Sequence, residues 1–171
     1  MMDHNEEEFM LAPFDRINRM MRLVLPGVLG LIACGALVAS IRGEAPAPAL
    51  GVVPLVLLIL GGCWAWSPRA VRVTADGLVI VRRILPPLTF PWSGFTGVRR
   101  LESWRGWKVC GCGGYYGYFG WFRLLQHGTV RLYATRRMDA VLVDGKPRVV
   151  VTVADTTTFM RALQQYLPPA K

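Results

Sequence analysis

The sequence predicts an N-terminal two-helix transmembrane hairpin followed by an α+β domain of about seven short strands and a C-terminal amphipathic helix. Three observations predict it. Two stretches near the start carry no charge: residues 23–41, 19 long, and residues 49–66, 18 long. From residue 67 onward, β-branched and aromatic runs alternate with Gly, Pro and Asp turn signals. Near the end, Phe159, Ala162, Leu163 and Tyr166 fall at i, i+3, i+4 and i+7, one face of a helix. Composition agrees. The 171 residues are 53% hydrophobic and 18% charged, against roughly 25% charged in soluble domains. The expected layout is an N-terminal segment at 1–22, a hairpin at 23–66 and one domain at 67–171.

Each apolar stretch is long enough to cross a bilayer. About 30 Å of hydrocarbon at ~1.5 Å per helical residue asks for about 20 residues. The connector at 42–49 holds the breakers Gly43, Pro46 and Pro48 and is too short for a domain. Both chain ends therefore lie on one side. Arg16, Arg19 and Arg22 precede the first span, and Arg69, Arg72, Arg82 and Arg83 follow the second; the connector has only Arg42. The positive-inside rule then places both termini in the cytoplasm. Trp64 and Trp66 close the second span at headgroup level. Pro26 and Pro54 are expected in the first turns of their spans, where a missing N–H costs little. Three alternatives are weaker. A signal peptide wants a basic start, and residues 3–8 are acidic. Leu31-Ile32-Ala33-Cys34 resembles a lipoprotein box, but a second span follows it. Core helices of a soluble domain carry a polar stripe, and neither stretch has one.

The soluble part is basic. Residues 67–171 hold sixteen Lys and Arg against five acids, a net +11, while the whole chain carries +9. Anionic lipid attracts such a face. Solvated surface charge is the plainer reading. Nucleic acid is not expected, since no helix–turn–helix, zinc-finger or RNA-binding signature is present. Residues 71–83 read as a hairpin turned by Asp76-Gly77 in a type I′ turn. Residues 88–92, 97–103, 129–135, 140–143 and 148–153 read as further strands, with Asp144-Gly145 turning the chain between the last two. Asp155 or Thr156 caps the helix, and Pro168-Pro169 stops it.

The run CGCGGYYGYFGWF, residues 110–122, packs two of the four cysteines, five glycines and six aromatics together. It is no zinc site. Cys110 and Cys112 have one residue between them, and His127 is the only other local ligand. The reducing cytosol argues against a disulfide, and no C-x-x-C supports a redox role. Neither a Walker loop nor a G-x-G-x-x-G is complete, because residue 116 is Tyr. Two histidines and few acids supply no catalytic triad. No enzyme activity, metal or cofactor is expected. Two compatible readings remain: glycine-kinked strand with core aromatics, or rings turned outward as an interfacial anchor beside basic residues.

GCGGYYGYFGWF, the GTVRLYATRRMDAVLV that follows at 128–143, and the closing helix with Phe159 resemble the bacterial PH-domain families. They are most similar to the type with a glycine- and aromatic-rich motif followed by Y-x-T, here Tyr133-Ala134-Thr135. VTADGLVI and PWSGFTGV add to the resemblance, which covers residues 71–167. It implies a PH-like fold, a seven-stranded bent antiparallel sheet or open barrel with a C-terminal helix. VTVAD at 151–155 departs from the I-S-P-like turn of that type, and the cysteines lie outside its pattern. PH-like folds host lipids, peptides and proteins, so the site must decide function. The first expectation is a membrane-anchored module in which Arg82, Arg83, Arg99, Arg100, Arg105, Lys108 and Arg123 meet anionic headgroups while Tyr118, Phe119 and Trp121 press into the interface. The alternative is a membrane-tethered scaffold that binds a protein partner at an open sheet edge, as a subunit of a larger complex.

Overall fold

The structure is a computed structural model that describes residues 7–42 and 47–168. Half of the connector, residues 43–46, lies outside the described residues. The elements run β1 (Glu7–Met10), α1 (Arg16–Ile41), α2 (Ala47–Trp66), β2 (Pro68–Val73), β3 (Gly77–Arg82), β4 (Leu88–Pro91), β5 (Phe95–Ser103), β6 (Gly106–Gly113), β7 (Tyr118–Leu124), β8 (Gly128–Ala134), β9 (Met138–Gly145), β10 (Val149–Val151) and α3 (Thr156–Gln164).

Two apolar helices are present and pack against each other. One is long and apolar enough to cross a membrane: its segment Asn18–Ile41 spans 24 residues, and its most apolar window has no buried residue. The apolar stretch Pro54–Trp66 of α2 is shorter than that. The helices start earlier than their apolar runs. Asp15 caps α1, its carboxylate accepting from the Asn18 backbone N–H at 2.9 Å. Pro26 and Pro54 therefore sit inside their helices, not in the first turns.

The strands form two sheets rather than one. The order is β1-β2-β3-β4 in the first and β5-β9-β10-β8-β7-β6 in the second. Ten strands replace the seven expected, among the described residues. The pairing is not all antiparallel: β10 runs parallel to β8, with Val150 opposite Leu132. Burial explains why β10 separates β8 from β9. Val149 and Val151 face one core and Val150 the other, all without exposure. A strand apolar on both faces is most stable in the middle of a sheet.

Those two cores give the domain its layers. One face of the second sheet packs on the first sheet and on α3, through Val71, Ile80, Phe90, Val141, Phe159 and Leu163. The other face curls on itself around Trp104, with Tyr118, Phe122, Leu124, Leu132 and Leu142. The curl is needed because β5 and β6 lie at opposite edges of the sheet, yet only Trp104 and Arg105 join them. The helix follows its sequence pattern. Phe159, Ala162 and Leu163 are buried, and Tyr166 stacks on Trp92 at 4.8 Å and 7°. Asp155 is the cap, accepting from Thr157 and Thr158.

Two turn expectations fail. Neither Asp76 nor Gly77 has the positive φ that a type I′ turn needs. Instead, the Thr74 hydroxyl donates to the Gly77 carbonyl at 3.0 Å and closes the loop. Asp144 and Gly145 belong to β9, opposite Gly97 and Phe95, and the chain turns after them.

The largest correction concerns the N-terminal segment, which is part of the domain. β1 pairs with β2, Phe9 opposite Val71. Leu11 bridges to Val153, and Ala12 is buried. Thr135 is the socket. Its hydroxyl donates to the Ala12 carbonyl at 2.5 Å and lies 3.2 Å from the Thr152 hydroxyl. Its carbonyl accepts from the buried Asn18 amide at 3.1 Å. A domain beginning at residue 67 would leave this socket open.

Candidate functional site

The glycine- and aromatic-rich run is a hairpin, β6 and β7, whose turn carries Tyr115 and Tyr116. Gly111 faces Gly120 across it, with φ of +133° and +116°. A Cβ on Gly120 would lie 2.8 Å from the Gly111 Cα. Only glycine allows both the close approach and that backbone. A register shift between Lys108 and Cys110 turns exposed Val109 outward as a bulge.

The aromatics divide by position. Tyr118, Phe119 and Phe122 are core residues, Phe119 only 2% exposed. Tyr118 and Phe119 were expected at a surface and are not, because β7 is an inner strand with a core on either face. Trp121 is 36% exposed, and the Arg131 guanidinium covers its ring at 4.5 Å. Tyr115 and Tyr116, ring centroids 4.2 Å apart, sit on the turn and reach the two helices. With Gly30 and Ala33 of α1 and Leu57 and Gly61 of α2 they line a cavity of about 510 Å³. The signal for them was in the sequence: they are the two rings bracketed by Gly114 and Gly117, on the turn rather than on a strand.

The loop after β3 meets the same helix ends. The Arg83 and Ile84 amides donate to the Ser67 and Ala65 carbonyls at 3.2 and 3.4 Å. The Arg83 guanidinium donates to the Ser67 hydroxyl at 3.0 Å and lies 5.9 Å from the Trp64 ring centre. Arg82 donates to the Pro86 carbonyl at 2.7 Å and holds the loop. Ile84, Leu85, Trp64 and Trp66 are all exposed on this face. Ile84 and Leu85 were missed; an apolar pair beside Pro86-Pro87, outside any alternating pattern, was the available cue.

The remaining cations are not gathered there. Arg99 pairs with Asp144 at 2.5 Å and Arg100 with Asp139 at 2.7 Å. Burial alone would raise Asp139. Hydrogen bonds from Thr156 and Arg100, with the Arg100 and Arg136 charges, outweigh it and hold the carboxyl below its usual range. Arg105 and Arg123 lie at the other end of the hairpin from the tyrosine turn. Eight residues of β6 at ~3.3 Å each put them roughly 25 Å away. Arg105 instead lines a separate 350 Å³ hollow with Trp104 and His127. Lys108, opposite Phe122, is one register step nearer the turn than Arg123, and its charge reaches Cys112. Cys110 and Cys112 do not act as a pair. Cys110 is exposed, whereas Cys112 packs toward the core beside Cys63 of α2. Burial and then the Cys63 thiol push Cys112 up to about 11, so it stays a protonated, unreactive thiol near neutral pH. No group of three His, Cys, Asp or Glu comes together among the described residues.

Two packed sheets, one strongly curled, closed by a C-terminal helix, define a PH-like domain, a class whose members are generally non-catalytic binding modules. The chain belongs to the bacterial PH domain family, whose sequence profile matches residues 69–167. Strand β1 and both long helices lie outside that match. Comparison with characterised proteins and with solved structures found no match.

Proposed function

We propose that the chain is a membrane-anchored, non-enzymatic binding module. Its PH-like domain rests on the cytoplasmic face of the bacterial inner membrane and contacts anionic lipid headgroups. The observation that carries this reading is the convergence of three features at one end of the domain. The tyrosine turn, the Arg82–Leu85 loop and Trp64 and Trp66 all gather where the two apolar helices leave. Those helices expose Leu31, Ile32, Leu57 and Leu58, an apolar surface that water would not tolerate at this extent. Hydrocarbon around both makes α1 and α2 a two-span hairpin. Tyrosine and tryptophan favour the interface. Arg82, Arg83 and Lys108 are the cations placed to meet headgroups, each worth roughly 1 kcal/mol near an anionic surface. Arg99, Arg100, Arg105 and Arg123 are left out of this role.

Two measurements test the reading. A reporter fused to either terminus of the full-length chain reads cytoplasmic; a periplasmic signal at the C-terminus overturns the layout. The detergent-solubilised chain gains thermal stability from phosphatidylglycerol but not from phosphatidylcholine, because a ligand that binds the folded state raises Tm. The gain shrinks in high salt and in Arg83→Gln/Lys108→Gln. An equal response to both lipids removes the headgroup role. It would favour the scaffold reading, whose supporting observation is the open β6 edge with exposed Trp107 and Val109.

A further inference from the structure

The cavity between the helices has a specific cause. An added Cβ at Gly30 or Gly61 would meet nothing within 4 Å. Small residues on both helices thus leave space that two apolar helices ordinarily fill. The walls are aliphatic, and the tyrosine turn roofs the domain end.

What fills it follows from shape and chemistry. A buried water needs two to four polar partners, and these walls offer none below the tyrosines. A flexible chain of methylenes fits, and about 510 Å³ lies within the ~300–1,000 Å³ usual for ligand pockets. If the helices span the bilayer, as proposed above, acyl chains are what surrounds the opening. We propose that this groove holds one acyl chain of a membrane phospholipid, with Tyr115 and Tyr116 over its glycerol end. The bilayer is as apolar as the groove, so the hydrophobic effect does not drive binding. Void filling does, through the dispersion contacts that an empty groove forfeits. The tyrosine turn lies at the mouth of the groove, where amphipathic rings favour the interface.

The test uses the full-length chain in mild detergent, stripped of lipid and incubated with palmitoyl-oleoyl phosphatidylglycerol. Native mass spectrometry then counts retained lipid. Wild type is expected to keep one lipid per chain. Gly30→Leu/Gly61→Leu fills the groove and lowers that occupancy at least tenfold. Both sites have open space and leucine favours helix over glycine, so the variant folds. Ala33→Leu, filling the same groove from another position on α1, is expected to act likewise. Equal lipid retention in wild type and variants overturns the proposal. So does a lipid-free wild-type dimer, which would assign the groove to a second copy. Alkaline extraction of membranes separates this failure from failure of the anchoring itself. A wild-type chain washed into the supernatant overturns both; a pelleted chain with unchanged lipid counts overturns the groove alone.

Discussion

Gly120→Val is expected to abolish the folded domain or lower its Tm by many degrees. Two costs combine. The φ of +116° is strained for any residue with a Cβ, at about 1–3 kcal/mol, and valine tolerates it least. The new Cβ would also sit 2.8 Å from the Gly111 Cα of the paired strand, where no flexible side chain can yield. Backbone would have to move, and the β6–β7 ladder with it. A total of about 4 kcal/mol or more is a large part of the ~5–15 kcal/mol that holds a domain. Thermal unfolding of the solubilised full-length chain checks this. Gly35→Ala, in α1 where an added Cβ meets nothing within 4 Å, is the control. A Gly120→Val protein that melts with wild type would show that the hairpin does not need its glycine pair.

Thr135→Val is expected to cost about 2–3 kcal/mol and to loosen the N-terminal segment selectively. The two side chains have nearly the same shape, so packing survives. What is lost is the hydroxyl that donates to Ala12 and neighbours Thr152. The Ala12 carbonyl is then left buried without that donor, at about 1–3 kcal/mol for an unsatisfied group. Hydrogen–deuterium exchange distinguishes this from general destabilisation. Amides of residues 7–15 should exchange faster, while those of β8, β9 and β10 keep their order of protection. Uniform loss of protection would mean that Thr135 supports the core rather than the strap. The residue belongs to the Y-x-T motif by which the sequence resembles its family. The structure gives that threonine a concrete task in this chain, which is to receive a segment from outside the family match.

Local order made much of the fold legible. The β2–β3 hairpin, the inward face of α3 and the apolar stretches of α1 and α2 all depend on neighbours within a few residues, so period and turn chemistry expose them. Asp155 as a cap is of the same kind. The site was less legible. Arg82 and Arg83 were named, and they lie at the helix ends. Arg99 and Arg100 were named too, but Asp144 and Asp139, about 40 residues away in sequence, occupy them. Tyr118 and Phe119 looked like surface anchors because aromatic strand formers read alike whether one face of a strand is buried or two.

The sequence by itself determined which segments are apolar helices, most of the strands after residue 67 and where the last helix points. These follow from side-chain periodicity and from what glycine and proline permit. Only the tertiary structure decided that residues 7–12 complete the first sheet, that β10 inserts between β8 and β9, and that Tyr115 and Tyr116 rather than Tyr118 and Phe119 reach the two apolar helices. Each of these is a pairing between residues far apart in the chain. Such pairings are selected by the burial of whole faces at once, and no local pattern records which partner a face will meet.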